Sequence, residues 1–237
     1  PTPILIVLTL VGVAVALIGY MYPVLCYLRR AEAAGSIPAG STRPNVARLL
    51  LGAALTGVAL LGTWGALQWA PRWASQLAPD PARYAKEYTQ IASAGGAIVG
   101  TIAAALLGGW IGRRVTYTLV CLGSLGSALL LYQTNDSFGG WFLFTVAIAG
   151  GMTAAFYGWF PFYLPELFRT SVRATSQGFA FNFGRIIAAI GTLQTATLMK
   201  LFDDSFPKAG SVLCAVYLVG VVVIWFGPET KGQPLPE

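Results

Sequence analysis

Long runs without a single charged side chain dominate the chain. Residues 1–28, 49–71, 88–112, 115–135, 137–165 and 209–228 contain no Asp, Glu, Lys or Arg, and 174–199 contains one, Arg185. A helix rises about 1.5 Å per residue, so roughly 20 apolar residues cross a hydrocarbon core of about 30 Å. The runs predict seven spans, at about 4–28, 47–70, 90–111, 115–133, 140–164, 174–199 and 209–227. Apolar residues are continuous in them rather than alternating, which excludes the lipid-facing strands of a β-barrel. Polar links rich in Gly, Pro and Ser separate the first spans, whereas only Gly112-Arg113-Arg114 separates the third from the fourth.

Composition sharpens this picture. Of 237 residues, 56% are hydrophobic and 10% charged, against about 25% charged in a soluble domain. The net charge of +6 therefore reads as loop residues of a membrane protein rather than a nucleic-acid surface. Cys26, Cys121 and Cys214 all fall inside predicted spans, as small apolar residues rather than disulfide or metal partners. With no histidine, no metal site or cofactor is expected, and no nucleophile or acid–base pair suggests an enzyme. The chain starts at Pro1 without a basic segment before its first apolar run. We expect a piece of a longer protein rather than a signal peptide.

The basic residues fix an orientation. Loops after spans one, three and five, with the C-terminal tail, carry nine: Arg29, Arg30, Arg43, Arg48, Arg113, Arg114, Arg169, Arg173 and Lys231. The opposite loops carry five: Arg72, Arg83, Lys86, Lys200 and Lys208. Basic loops stay in the cytoplasm, so the tail is expected there, in a cell inner membrane, and the first span runs inward.

Three short motifs resemble the major facilitator superfamily. The stretch Ala105 to Arg114 is similar to its G-x-x-x-D-R-x-G-R-R loop at Gly112, Arg113 and Arg114, with Gly109 at the acidic position and Ala105 at the first glycine. Pro165-Glu166-Leu-Phe168 through Arg173-Ala174 resembles the E-x-F-P-x-R-x-R-A segment of sugar porters and metabolite–proton symporters, with Arg169 at the proline and Ser171 at the first arginine. Pro228 to Gly232 reproduces the PETKG tail of sugar porters. The paired glutamines of sugar porters are absent near Gln68, and Asn182-Phe-Gly184-Arg185 looks closer to bacterial organic-anion symporters.

The resemblance implies an all-α membrane protein: the six-helix C-terminal half of a twelve-helix transporter, plus one preceding span. Its expected parts are a span at 1–28, a cytoplasmic linker at 29–46, the six-helix half at 47–227 and a cytoplasmic tail at 228–237. Within the half, two three-helix units should be related by inverted topology. The partners implied are the N-terminal half of the same transporter, lipid and a small-molecule substrate, with no nucleic acid. Transport of a small, anionic organic metabolite by alternating access is the expected function. The alternative is a transporter-derived sensor or assembly protein.

Two constellations could carry that function. Arg185 lies eleven residues into the sixth span, roughly 16 Å deep, where a charge costs about 2.5–3.5 kcal/mol unless water or a partner receives it. Asn182, Thr192 and Thr195 share its stripe, so Arg185, Asn182 and Thr192 are candidate substrate contacts, with Trp64 and Tyr157 for stacking. The other placements open to Arg185 are capping of a neighbour's carbonyls or reaching the interface. Arg113, Arg114, Glu166, Arg173 and Glu229 gather at predicted cytoplasmic helix ends. In the resembling family such residues pair and separate as that side opens. All nine acidic residues lie in loops or at helix ends, so a proton-coupling carboxylate is expected in the other half.

Overall fold

The computed structural model describes residues 3–79, 84–193 and 195–237; of the basic loop residues counted above, Arg83 lies outside them. The described chain is all α. Its elements are α1 (Pro3–Ala33), α2 (Thr42–Leu77), α3 (Ala85–Ile111), α4 (Arg113–Gln133), α5 (Gly140–Glu166), α6 (Arg173–Leu193), α7 (Thr195–Leu201) and α8 (Phe206–Phe226). Among the described residues, six helices are long and apolar enough to cross a membrane: α1 to α5 and α8. The protein is a multi-pass membrane protein. The stretch expected as the sixth span is long enough, at 21 residues in α6, but Gln177, Asn182 and Arg185 lower its apolarity. A helix that faces water along one side has this composition.

Two boundaries differ from the sequence expectation for physical reasons. Pro71 does not end α2. It sits at the start of Ala70–Leu77, where a missing N–H costs nothing, and the helix continues with Trp73 packed against Tyr132 and Phe142. Before it, Gly62–Ala66 forms a π turn and Leu67–Trp69 a 3-10 turn. Likewise α1 runs past residue 28 to Ala33. There Glu32 accepts the N–H of Gly40 at 2.6 Å and of Thr42 at 3.1 Å, closing the link to the start of α2. Apart from this end, α1 is mostly exposed, with Ile4, Leu8, Val15 and Ile18 on its surface, and its contacts are with α2 and α6.

The other helices pack in a pattern with its own symmetry. The most extensive contacts join α3 to α5 and α2 to α6. Divide the half into α2–α3–α4 and α5–α6–α8. Exchanging the units position by position turns the α2·α6 contact into α5·α3, and α4·α5 into α8·α2, all of which occur. Glycine brings the α3·α5 backbones into contact: a Cβ at Gly96 would fall on the Ala147 carbonyl, one at Gly100 on that of Gly151, and one at Gly158 on that of Thr101. Close approach of small residues is how helices gain packing where lipid gives no hydrophobic drive. An aromatic core lies beside this seam. Tyr117 meets Phe156 at 5.1 Å and Trp159 at 4.7 Å between ring centres, and Phe156 stacks on Tyr217 at 5.8 Å.

Candidate functional site

The π turn of α2 shapes the first site. An extra residue in a helical turn re-aims the side chains that follow it, which is why such turns recur at functional positions. Trp64, inside the turn, is 54% exposed although its neighbours Gly62, Gly65 and Ala66 are buried. It projects into an open cavity of about 530 Å³ lined also by Gln68, Tyr157, Phe181, Arg185 and Thr192. Ala188 and Ala189 form part of its floor on α6.

Arg185 is exposed and lines this cavity, and among the described residues its guanidinium donates to no carbonyl. Its guanidinium lies 5.2 Å from the centre of the Phe181 ring, one turn back on α6. Among the described residues no carboxylate comes within 4 Å of it; the ion pair found there is elsewhere. A guanidinium resting on an aromatic face, with its outward edge open, presents a planar fork that suits a carboxylate. Trp64 and Tyr157 supply flat apolar walls, and Gln68 and Thr192 supply hydrogen-bonding groups around it.

Asn182 does not join this group. Its Nδ2 donates to the Gly178 carbonyl at 2.8 Å, and the residue lines a groove against Tyr20 and Pro23 of α1. Thr195 likewise lines a separate cavity. The stripe expected along α6 therefore divides, with Arg185 and Thr192 on one face. Gln68 and Phe181 were not among the expected contacts. Gln68 carried a signal in the sequence, a long polar side chain within the charge-free run 49–71. It also lines a second cavity of about 380 Å³ with Thr63, Gln90 and Ser93, between α2 and α3.

The second constellation lies at the end of the bundle where α3 and α5 finish and α4 and α6 start. Arg113 pairs with Glu166 through two bonds, Nε to Oε2 at 2.9 Å and a terminal nitrogen to Oε1 at 2.6 Å. Its remaining nitrogen reaches the Gly108 carbonyl, one of the unpaired acceptors at the end of α3. Thr230 adds a hydroxyl donor to Glu166 at 2.6 Å. Glu229 plays a different part. Its carboxylate accepts the backbone N–H of Arg113 at 2.9 Å and of Arg114 at 3.0 Å, the first two of α4. It thus caps a helix start, where a negative charge is stabilised. Burial raises the Glu229 carboxyl, but the N–H groups of Arg113, Arg114, Lys231 and Thr230 outweigh it and hold it below its ordinary value. Gly112 makes room for this contact: its φ is +102°, and a Cβ there would stand 3.1 Å from Glu229 Oε2.

Arg114 and Arg173 stay outside the ion pair. The Arg114 guanidinium donates to the Gly227 carbonyl at 2.8 Å. Arg173 donates to the carbonyls of Pro165 at 3.1 Å and of Pro236 at 3.0 Å. Pro236 also accepts the Thr170 N–H at 3.1 Å. The tail therefore runs as a strap from the start of α4, past Glu166, to the start of α6.

With this geometry in hand, similarity to other proteins is informative. No family model matches the chain. It is 29% identical over 194 residues to the cis,cis-muconate transport protein of Acinetobacter baylyi, covering 78% of this chain and 44% of that protein. It is 30% identical over 130 residues to a protein of Bacillus subtilis named for niacin/nicotinamide transport, covering 52% and 30%. It is 33% identical over 140 residues to a protein of Cupriavidus pinatubonensis named for 4-methylmuconolactone transport, covering 58% and 32%. All three relatives bear the names of transporters. The chain spans less than half the length of each.

Proposed function

We propose that the full-length protein carries a small organic carboxylate across a cell inner membrane. It belongs by this reading to the major facilitator superfamily, near its metabolite symporters, and this chain supplies the C-terminal half, with the tail in the cytoplasm. The observation that carries the proposal is Arg185, a guanidinium without a carboxylate partner among the described residues, set between aromatic walls in an open cavity. Buried or membrane-embedded cations are costly unless something receives their charge, and a substrate carboxylate does so. Trp64 and Tyr157 favour a flat, conjugated body behind that carboxylate. Similarity to proteins named for muconate, niacin and methylmuconolactone transport supports the same class.

In this mechanism the cavity closes against the N-terminal half and opens alternately to each side. The Arg113–Glu166 pair, with Thr230 and the Glu229 cap, holds the cytoplasmic ends of α3, α4 and α5 together in one state and yields in the other. Uptake of labelled cis,cis-muconate and niacin by cells expressing the full-length gene tests the proposal. Arg185→Lys keeps the charge but loses the planar fork. Losing one charge-assisted bond costs about 1.5–3 kcal/mol, or roughly 10- to 150-fold in affinity, with normal protein levels in the membrane. Unchanged uptake kinetics in that variant would remove Arg185 from the substrate site. Absence of uptake by the parent protein across a carboxylate panel would favour a sensor or assembly role.

A further inference from the structure

The largest cavity described lies outside this site. It measures about 630 Å³ and sits at the end of the bundle opposite the Arg113–Glu166 pair, between the end of α2, α7 and the start of α8. Arg72 and Lys200 line it from two elements, with Asp204 beside them, so two cations face one carboxylate. No salt bridge neutralises either cation among the described residues. Beneath its surface Trp69 Nε1 and Thr195 Oγ1 are buried with no partner among the described residues. A tryptophan N–H can only donate, and buried polar groups without partners are rare enough to need a reason. Arg72 and Lys200 are both exposed, and against the single carboxylate of Asp204 they leave the cavity with a net positive lining, which suits an anion such as an ionised carboxylate.

This cavity is joined to the Arg185 cavity by Thr192, which lines both. Along α6, Thr192 is seven residues from Arg185, about 10 Å at helical rise. We propose that the Arg72–Lys200 cavity is a second, outer anion site that collects the carboxylate substrate and passes it by way of Thr192 to Arg185. This inference rests on the reading of Arg185 as a carboxylate site. The outer site acts on encounter. Its cations raise the local concentration of the anion near the mouth and so lower KM, while the rate of the transport step is set deeper.

The test measures initial uptake of niacin and of cis,cis-muconate by the full-length protein in liposomes, at about 0.01 M and about 0.15 M salt, where the Debye length falls from about 30 to 8 Å. In Arg72→Gln/Lys200→Gln, KM at low salt is expected to rise about tenfold, the low end of electrostatic steering. Its salt dependence should disappear and the maximal rate should hold. The rise should be larger for the dianion muconate than for niacin. Asp204→Asn should move KM the other way, which a merely structural role would not do. Arg72→Lys/Lys200→Arg should behave as the parent. If the double Gln variant does not reach the membrane, Asp204→Asn and the charge-keeping pair carry the test. Parent-like KM and salt dependence in the double Gln or the Asp204→Asn variant, with uptake still lost in Arg185→Lys, would overturn the outer site and leave the proposed function standing. If the parent takes up neither compound, or Arg185→Lys transports normally, both fall together.

Discussion

Single residues explain why the tail motif takes the form it does. Glu229 is usually thought of as one charge among several, yet here its work is done on backbone N–H groups. A lowered carboxyl stabilises the fold fully above its unfolded value, about 4.3, and loses that contribution as pH falls through its lower folded value. We expect protection from hydrogen exchange at the start of α4, taken relative to the intrinsic rate at each pH, to hold above the unfolded value in the full-length protein and to fall as pH drops through the folded one. Glu229→Gln should be less protected above the unfolded value, converge with the parent below the folded one and show no such step, with a cost of about 1 kcal/mol at neutral pH. A pH profile for that variant matching the parent would refute the cap. Such roles are hard to read in a sequence. The motif Pro228 to Gly232 was visible and its end of the bundle was legible, but which acceptor meets which donor depends on how α4 starts. Arg173 shows the same limit: a charge at a helix end was legible, whereas its choice of the Pro165, Phe168 and Pro236 carbonyls over Glu166 was not.

At the level of elements, α2 carries most of what local pattern concealed. Its apolar run gave the span, and Pro71 gave a false stop because proline at a first helical turn obeys the same rule as proline beyond an end. The π turn at Gly62–Ala66 has no local signature; its cause is tertiary. A Cβ at Gly62 would fall on the phenol of Tyr217, so glycine there lets α2 pass α8 at the point where the turn widens. The Tyr217 hydroxyl is buried with no partner among the described residues, and removing an unsatisfied group is close to neutral. Tyr217→Phe alone is therefore expected to leave thermal stability within about 0.5 kcal/mol. Gly62→Ala should destabilise by about 1–3 kcal/mol through overpacking, and the double variant should recover part of that loss. Strict additivity in this cycle would show that the two side chains do not compete for one space. For α6 the sequence pattern identified Arg185 and Thr192 on one face, but placed Asn182 with them because spacing alone cannot show that α1 covers the adjacent face.

For the whole molecule, the apolar runs were enough to specify an all-α membrane bundle, and the exchange symmetry of its contacts fits two units of inverted topology. Inverted units place the starts of α3 and α8 at the same end of the bundle, and the orientation proposed above turns that end to the outside. Lys86, at the start of α3, is exposed. In full-length protein carrying Lys86→Cys in place of the lysine, with its native cysteines replaced, an impermeant thiol reagent should label it from outside intact cells. Labelling confined to inverted vesicles would reverse the orientation and turn the Arg72–Lys200 cavity toward the cytoplasm.

The strap also imposes an order on synthesis. Arg113 precedes its partner Glu166 by 53 residues, and its backbone N–H precedes the Glu229 carboxylate by 116. At about 5–20 residues per second, the start of α4 waits roughly 6–23 s after it is made before Glu229 can cover it. Throughout that interval the Arg114 side chain and an open helix end lack their partners, whereas Arg113 can meet Glu166 after 53 residues. A chain that stops short of residue 229 leaves the first two N–H groups of α4 uncapped, a local difference from one that reaches it.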